Sequence, residues 1–323
     1  MRFALNDEQL AFSRSLDDFL GTAEVPGAAR AWGEGDAASG RKIWQRLADL
    51  GVHALCVPED AGGLGASPID LVVAFEQIGR HLVPGPYIES VVVAPALLQA
   101  TDPESLAELA AGSRVVTLAA PPGTPFALDA DVADRVLLVD GDELNLAEAG
   151  SLRRSVDSTR RLFEVTAKDR LAALPTGAVA AALDAAALAC SAQLLGAGER
   201  LLEEAVEYAK NRRQFGRAIG EFQALKHALA DVRVALDFAR PLLHGAAVSV
   251  GSADAARDVS AAKVAASDAA YLAARTALQV HGAIGYTLEH DLGLWITKVR
   301  ALVAAWGTTA THRARVLAAI TAA

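Results

Sequence analysis

The stretch Tyr208–Asp231, YAKNRRQFGRAIGEFQALKHALAD, decides how this chain is read, because it joins two long helical patterns through a basic, glycine-bearing turn. Upstream of it, Leu194, Leu195, Leu201, Leu202, Ala205 and Tyr208 recur at helical spacing, which leaves Glu199, Glu203, Glu204 and Glu207 for the wet face. Arg212 and Arg213 then fall in the last turn, where cations complement the negative end of the helix dipole. Gly216 is placed to take the left-handed conformation that closes a helix. Read so, the arginines are helix-end charges, and the Gln214-Phe215-Gly216 that follows has no role. A planar, permanently charged guanidinium can also grip phosphate oxygens in a two-pronged way that lysine cannot.

Composition bounds the rest. A chain of 323 residues is long for one core, so two or three packed units are expected. With 52% hydrophobic and 21% charged residues it has the make-up of a folded protein. A net charge of -9 and a pI near 5.3 argue against nucleic-acid binding, which calls for a basic stripe. The basic group around Arg212 is therefore local and suits one anionic ligand. Cys56 and Cys190 stand far apart in apolar stretches, as reduced, buried thiols do in a cytoplasm. The opening MRFALNDEQL has no signal-peptide core. The longest apolar run, from Val179 to Gly198, carries Asp184 and Gln193 and reads as a buried helix, not a membrane span.

Taken in order, Asn6 with Gln9 three residues on signals a helix start, and Phe12, Leu16, Phe19 and Leu20 mark one face. A loop with Gly33, Gly35 and Gly40 is expected next, then a second helix marked by Ile43, Trp44, Leu47 and Leu50 that Gly51 ends. The segment LGVHALCVPEDAGGLGAS is a short apolar run and a glycine turn, too bare for a phosphate fingerprint. Ser67-Pro68 opens a helix through Ile69, Val72, Phe75 and Ile78, which Pro84-Gly85-Pro86 stops. Two further helical patterns, Val91 to Leu98 and Glu104 to Ala111, complete an all-helical first domain, residues 1–112. Beyond Gly112 the runs RVVTLA, RVLLV and RLFEVT are rich in β-branched residues, and Asp140-Gly141 is a hairpin signal. A small β domain is expected over 113–172 and a helical bundle over 173–323, so the fold class is mainly α.

The residues Arg212, Gln214, Phe215, Gly216, Phe222, Gln223, His227, Leu229, Ala230 and Asp231 resemble the R-x-Q-F-G…F-Q…H-x-L-A-D signature of the acyl-CoA dehydrogenase family. The order helix, small sheet, helix is similar to that family's fold over essentially the whole chain. The resemblance implies that Arg212 contacts the pyrophosphate of an FAD held mainly by a neighbouring subunit, with Gln214, Phe215, Gly216 and Gln223 helping to seat it. A second piece, Gln279-Val280-His281-Gly282-Ala283-Ile284-Gly285, follows the helical pattern of Val264, Tyr271, Ala274 and Leu278. Alone it is a helix stop, with His281 near the negative end of the dipole. It also resembles the family's Q-x-x-G-G-x-G segment, which implies that Gln279 and Gly282 approach the adenosine half of the cofactor across a subunit interface. A residue without Cβ lets backbone come close to a ligand. Ala283 replaces the second glycine.

Two departures matter. The family's desaturation needs an ionised carboxylate to take the α proton while hydride leaves the β carbon. Its usual place is the glutamate of a Y-E-G-T sequence, and the matching piece here is Ala305-Trp306-Gly307-Thr308. Trp306 cannot accept a proton. The alternative place in the family corresponds to Ala186, and Asp184 lies on a different helical face. The β region also lacks the family's T-E-P-x-x-G-S-D and W-I-T segments, since the four tryptophans are Trp32, Trp44, Trp295 and Trp306. The resemblance thus implies half of a composite site. This chain would be the non-catalytic subunit of a heteromeric, FAD-dependent acyl-CoA dehydrogenase, often α2β2 in actinobacterial steroid-degrading systems, with the flavin shared and the acyl-CoA bound mainly by the partner. A self-sufficient homo-oligomer with a relocated base, and a non-redox binding protein of the same fold, are the alternatives.

Overall fold

Local capping starts the first helices. Asn6 Oδ1 accepts from the backbone N–H of Gln9 at 2.8 Å, and Gln9 Oε1 accepts from that of Asn6 at 3.1 Å; this reciprocal cap opens α1 (Asp7–Thr22). The structure, a computed structural model, describes residues 4–287 and 290–322, so Met1, Arg2 and Phe3 of the opening segment lie outside it. Of the glycines expected in a loop, Gly35 lies in one, but two lie in helices: Gly33 ends α2 (Val25–Gly33) and Gly40 is inside α3 (Ala38–Asp49). Close approach explains them. A Cβ on Gly40 would sit 2.3 Å from the Trp32 ring, and one on Gly33 2.2 Å from the Ser158 carbonyl oxygen. Gly51, at φ +86, ends the α3 region as expected.

Ser67 caps α4 (Pro68–Arg80) together with Asp70, whose Oδ2 accepts from the Ser67 N–H at 2.9 Å. Past the Pro84-Gly85-Pro86 corner the chain makes a wholly buried π-helical turn, Ile88–Val93, that runs into α5 (Ala94–Leu98) and then α6 (Ser105–Ala110). Such turns are rare and often sit at functional sites.

The sheet comprises β1 (Val116–Ala119), β2 (Ala127–Leu128), β3 (Arg135–Asp140), β4 (Glu143–Arg154) and β5 (Arg161–Ala173), in spatial order β1-β3-β4-β5-β2. β1 and β3 are parallel and the other pairs antiparallel. Asp140 pairs with Glu143, so the hairpin expected at Asp140-Gly141 forms, with Gly141-Asp142 as its two-residue turn, one residue later than the signal. The sequence reading passes over β4. Only its first residues are buried and its register with β5 shifts three times, so no alternation survives to be read.

α7 (Ala178–Asn211) runs 34 residues and leads through β6 (Arg213–Gln214) and β7 (Arg217–Ala218) to α8 (Gln223–Ser249), α9 (Ala255–His281), α10 (Leu292–Ala304) and α11 (Thr309–Thr321). By length and composition α7 could cross a membrane. Its apolar side chains, from Ala186 to Ala205, are nevertheless buried against the rest of the bundle. Two corrections concern its neighbours. Glu199 is not on the wet face: its carboxylate meets Arg233 at 2.6 Å and Arg240 at 2.8 Å, and Arg240 continues to Glu76 at 2.6 Å, tying α4, α7 and α8 together. On α9 the buried stripe is Val259, Ala262, Ala266, Ala269 and Ala273, whereas Tyr271 faces out.

α4 and α7 cross backbone to backbone at two glycines. A Cβ on Gly196 would lie 1.9 Å from the Glu76 carbonyl oxygen, and one on Gly79 2.1 Å from that of Gln193. Helix propensity alone makes Gly196→Ala stabilising by about 1 kcal/mol. Overpacking at this crossing reverses the sign, and a net loss of about 1–3 kcal/mol is expected in urea denaturation. A gain in stability would show that the crossing is looser than described.

Candidate functional site

The junction after α7 differs from a helix stop. α7 ends at Asn211, and Arg212 is already extended (φ -74, ψ 123), so neither arginine lies in the last helical turn. Gln214 and Arg217 pair across a turn whose central residues, Phe215 and Gly216, have φ of +53 and +81. This is the geometry of a type I′ hairpin, so Gly216 closes a hairpin and not a helix. A non-glycine residue at positive φ is uncommon, and here it holds the Phe215 side chain 91% exposed. Phe222 lies edge-on to Phe215 at 6.2 Å between ring centres, and the Arg217 guanidinium sits 4.2 Å over the Phe222 ring. Arg212, Gln214, Gly216 and Gln223 are exposed as well.

Gln279 is exposed on the last turn of α9, and Gly282, at φ +63, is exposed just beyond it. The two glycine-bearing pieces are joined by a ring stack: Tyr208, one turn before Arg212, lies on His281 at 4.2 Å. His281 Nδ1 is 2.9 Å from the Ala277 carbonyl oxygen, and burial lowers its pKa. The structure thus brings Arg212, Gln214, Phe215, Gly216 and Gln223 near the end of α9 that carries Gln279 and Gly282, all turned outward.

The second locus lies around Trp306. The loop after α10 is held by a buried polar cage. Lys263 Nζ, in a side chain with no exposed surface, donates to the carbonyl oxygens of Leu302 at 3.0 Å and Val303 at 3.3 Å. Cys190 Sγ lies 3.4 Å from the Leu302 oxygen, and His312 Nε2 3.0 Å from that of Trp306. Burial lowers the pKa of Lys263. Trp306 itself is at φ +57 and buried, and one edge of it lines a cleft of about 740 Å³ between the sheet's loops and the α10–α11 turn. The alternative base place is closed: Ala186 is buried, and Asp184 is engaged by Arg315 at 2.7 Å.

Three charged residues at this cleft or just behind it escape sequence reasoning: Glu89 and Arg160 line it, and Lys298 borders a smaller cavity that shares Trp306 with it. Glu89, in the π-helical turn, is 3% exposed and lines the cleft, with Arg160 beside it. Burial pushes the Glu89 pKa up to about 7, against a smaller downward pull from Arg160. Lys298 Nζ pairs with the fully buried Asp157 at 3.0 Å and donates to Thr159 Oγ1 at 2.9 Å. The available signal was a lone carboxylate within YIESVVVAPALL, a run otherwise apolar enough to be core.

Glu89 carries a pH dependence of fixed sign. With a folded pKa near 7 against 4.5 unfolded, the folded state binds the extra proton between those values. Its stability contribution is complete below pH 4.5 and is lost as pH rises through 7, by an order of 3 kcal/mol. Glu89→Gln should therefore be more stable than the unsubstituted chain at pH 8 and no more stable at pH 4.5, as read by urea denaturation at both. An equal difference at the two values would place the carboxyl in water.

Comparison with known proteins identifies the family. Residues 6–110 match the family model for the acyl-CoA dehydrogenase N-terminal domain, and residues 176–321 that for the C-terminal domain. The acyl-CoA dehydrogenase IpdE2 of Mycobacterium tuberculosis is 36% identical over 84% of this chain and 85% of its own length. Acyl-CoA dehydrogenase FadE34 of the same organism is 31% identical over 92% of this chain, but the match spans only 46% of FadE34. Among solved structures, the ChsE4-ChsE5 complex from M. tuberculosis superposes with a TM-score of 0.86 and 23% identity, covering 100% of both chains. Matches at both ends of the chain, together with the 36% identical relative, place this protein in the acyl-CoA dehydrogenase family.

Proposed function

We propose that this chain is the non-catalytic subunit of a heteromeric acyl-CoA dehydrogenase, supplying the outer half of an FAD site whose flavin-ring pocket and base belong to a partner subunit. The observation that carries the reading is the outward face at the end of α7 and α9. Arg212, Gln214, Phe215, Gly216, Gln223, Gln279 and Gly282 are all exposed. Arg212 makes no salt bridge among the described residues. Side chains so placed can hold only something that approaches from outside the chain. The donor set fits a dinucleotide: a guanidinium for phosphate oxygens, carboxamides for ribose or base edges, and a backbone bared at Gly282. When bound, the flavin supplies the two-electron acceptor for α,β-desaturation of an acyl-CoA. This chain's part is to bind and orient it, with Arg212 as the phosphate contact. A bulky polycyclic or branched acyl group follows from the resemblance to steroid-degrading two-subunit enzymes.

Two comparisons support a paired assembly. The match to FadE34 spans just under half of that protein's length, which leaves room there for a second chain of this size. The ChsE4-ChsE5 structure is itself a complex. A specific observation favours a second reading, a self-sufficient enzyme with a relocated base: Glu89 is a buried carboxyl on the cleft beside Trp306. Visible absorbance separates the two. The purified single chain should be colourless and inactive with acyl-CoAs, and should become yellow only on co-expression with its partner, the product of the neighbouring gene being the first to try. A yellow, active single chain that Glu89→Gln silences would establish the second reading.

Within the yellow complex, Arg212→Gln should weaken FAD retention by roughly 10- to 150-fold, the loss of one charge-assisted contact worth about 1.5–3 kcal/mol. Arg213→Gln is the control. Consecutive residues of extended backbone point to opposite sides, so it should change retention little at matched salt. Equal, small effects would reduce Arg212 to a surface charge.

A further inference from the structure

Strand β4 leaves the main sheet part-way along its length. β3 pairs with it only as far as Leu146, and residues 149–154 are all exposed. Over that stretch β5 is its only strand neighbour among the described residues, so the other edge of β4 presents backbone donors and acceptors to water. Such an edge is a template for a further strand, and folded proteins commonly blunt it with proline or unpaired charge. This stretch has no proline. Its charges are tied to β5, Glu148 to Lys168 at 2.7 Å and Arg153 to Glu164 at 3.0 Å.

The register with β5 sorts the side chains. Ala149 lies opposite Val165 and Leu152 opposite Phe163; the β5 residues are two apart, so all four share one face. Glu148 lies opposite Thr166 and Arg153 opposite Leu162, and these share the other face. Between Ala149 and Leu152 the pair Gly150-Ser151 stands against Glu164 alone, which is a bulge. In a regular strand, residues three or five apart fall on opposite faces. The extra residue brings Ala149 and Leu152, and likewise Glu148 and Arg153, back to the same side.

The bulged strand is therefore its own complement. A second copy of β4, antiparallel about a twofold axis at Gly150-Ser151, sets Ala149 against Leu152 on one face and Glu148 against Arg153 on the other, each twice by symmetry. The charged face becomes a row of alternating sign across the seam: Lys168 and Glu148, then Arg153 and Glu164 of the second copy. The apolar face continues from Val165 and Ala149 to Leu152 and Phe163 of the second copy, and it covers Leu152, which is 53% exposed in the single chain. Cross-strand pairs of both kinds stabilise a sheet.

We propose that the free edge of β4 is an interface between two copies of this chain, which join over residues 148–153 into one continuous sheet across a twofold axis. It is built from the sheet and not from the ends of α7 and α9, needs no cofactor, and stands whether or not the flavin is shared. Pairing along one strand edge buries less than the roughly 1,200 Å² of a standard interface, so the dimer of the isolated chain is weak, with a Kd on the order of 10–100 µM.

Sedimentation velocity of the full chain between about 5 and 500 µM reads the association. Glu148→Arg and Arg153→Glu should each weaken it by about tenfold or more, because the twofold turns two opposite-charge pairs into like-charge pairs. The double variant, which restores opposite charges across the seam, should recover most of the loss. Urea midpoints should stay close to the parent's, since both side chains are exposed. Cysteines read the register. Residues opposite each other on antiparallel strands stand about 4.5–5.5 Å apart at Cα, within disulfide reach. Ala149→Cys and Leu152→Cys together should give a covalent dimer on mild oxidation, and neither alone should, because each faces the other and not its own copy. That pattern reports this edge whatever other contacts the chain makes. Absence of the crosslink in the double-cysteine chain, single-cysteine chains that crosslink as well as the double, or charge reversals that leave association unchanged would each overturn the interface. Amide exchange at residues 148–153 that slows only when the heteromeric partner is added would assign the edge to that partner, and would overturn it as well while leaving the flavin reading intact.

Discussion

The ion pair between Lys298 and Asp157 fixes where the sheet sits, and the cleft exists because of it. Asp157 has no exposed surface and Lys298 very little, yet the two meet at 3.0 Å. Burial raises the Asp157 pKa, but Lys298 and Arg160 outweigh it and hold the carboxyl below its ordinary value. Extra bonds add to the compensation: Asp157 Oδ1 accepts from the Thr159 N–H and hydroxyl at 2.9 and 2.8 Å. Removing one partner of such a pair leaves an unmatched buried charge at a cost of about 3–5 kcal/mol. On the other flank, Arg161 bonds Asp131 at 2.9 Å and reaches the Trp32 carbonyl. The turn between β4 and β5 is therefore fastened to α10 on one side and to α2 on the other, and the cleft is the space the clamp leaves open.

The opposite wall is just as constrained. Lys263 reaches two carbonyl oxygens near the C-terminal end of α10, where a helix leaves acceptors unsatisfied and concentrates negative potential. That environment offsets the burial of an ammonium group, although burial still lowers its pKa. His312 holds the Trp306 carbonyl, and a Cβ on Gly307 would strike the His312 ring at 2.5 Å. Trp306 thus occupies a backbone position set by three buried polar side chains. The backbone that carries the indole cannot shift without breaking them.

What the sequence makes legible follows from whether a signal is local. The Asn6 and Ser67 caps, the Asp140-Gly141 turn and the helix–sheet–helix order all rest on residues within a few positions of one another, and all appear in the structure. Gly33 and Gly40 mislead because their reason is a distant neighbour, the Ser158 carbonyl and the Trp32 ring. Glu199 misleads for the same reason: its partners Arg233 and Arg240 come from α8. At the outward face the residues are found by motif, but the hairpin is not, since Phe215 at positive φ breaks the preference by which turns are recognised. Glu89 is legible only as an anomaly, a carboxylate in an apolar run, and its place beside Trp306 depends on packing between segments more than 200 residues apart.

Two arginines that make no salt bridge among the described residues, Arg217 and Arg300, share a physical device. Arg217 lies over the Phe222 ring at 4.2 Å, and Arg300 over the Tyr271 ring at 5.4 Å. An aromatic face positions a guanidinium through its quadrupole and carries no formal charge. A carboxylate in the same place would position the arginine equally well and cancel it. With acids in excess over bases, the chain has carboxylates to spare, and fifteen other arginines are paired with them, from Arg30 to Arg315. At these two places the arginine rests on a ring and its charge is left for another partner. The net charge of -9 would repel an anion at long range, so such local sites bind only what comes within a Debye length, about 8 Å at physiological salt. Short range and un-neutralised charge together favour a ligand that is delivered by shape, through an apolar wall or a partner's surface, before its anionic part is gripped.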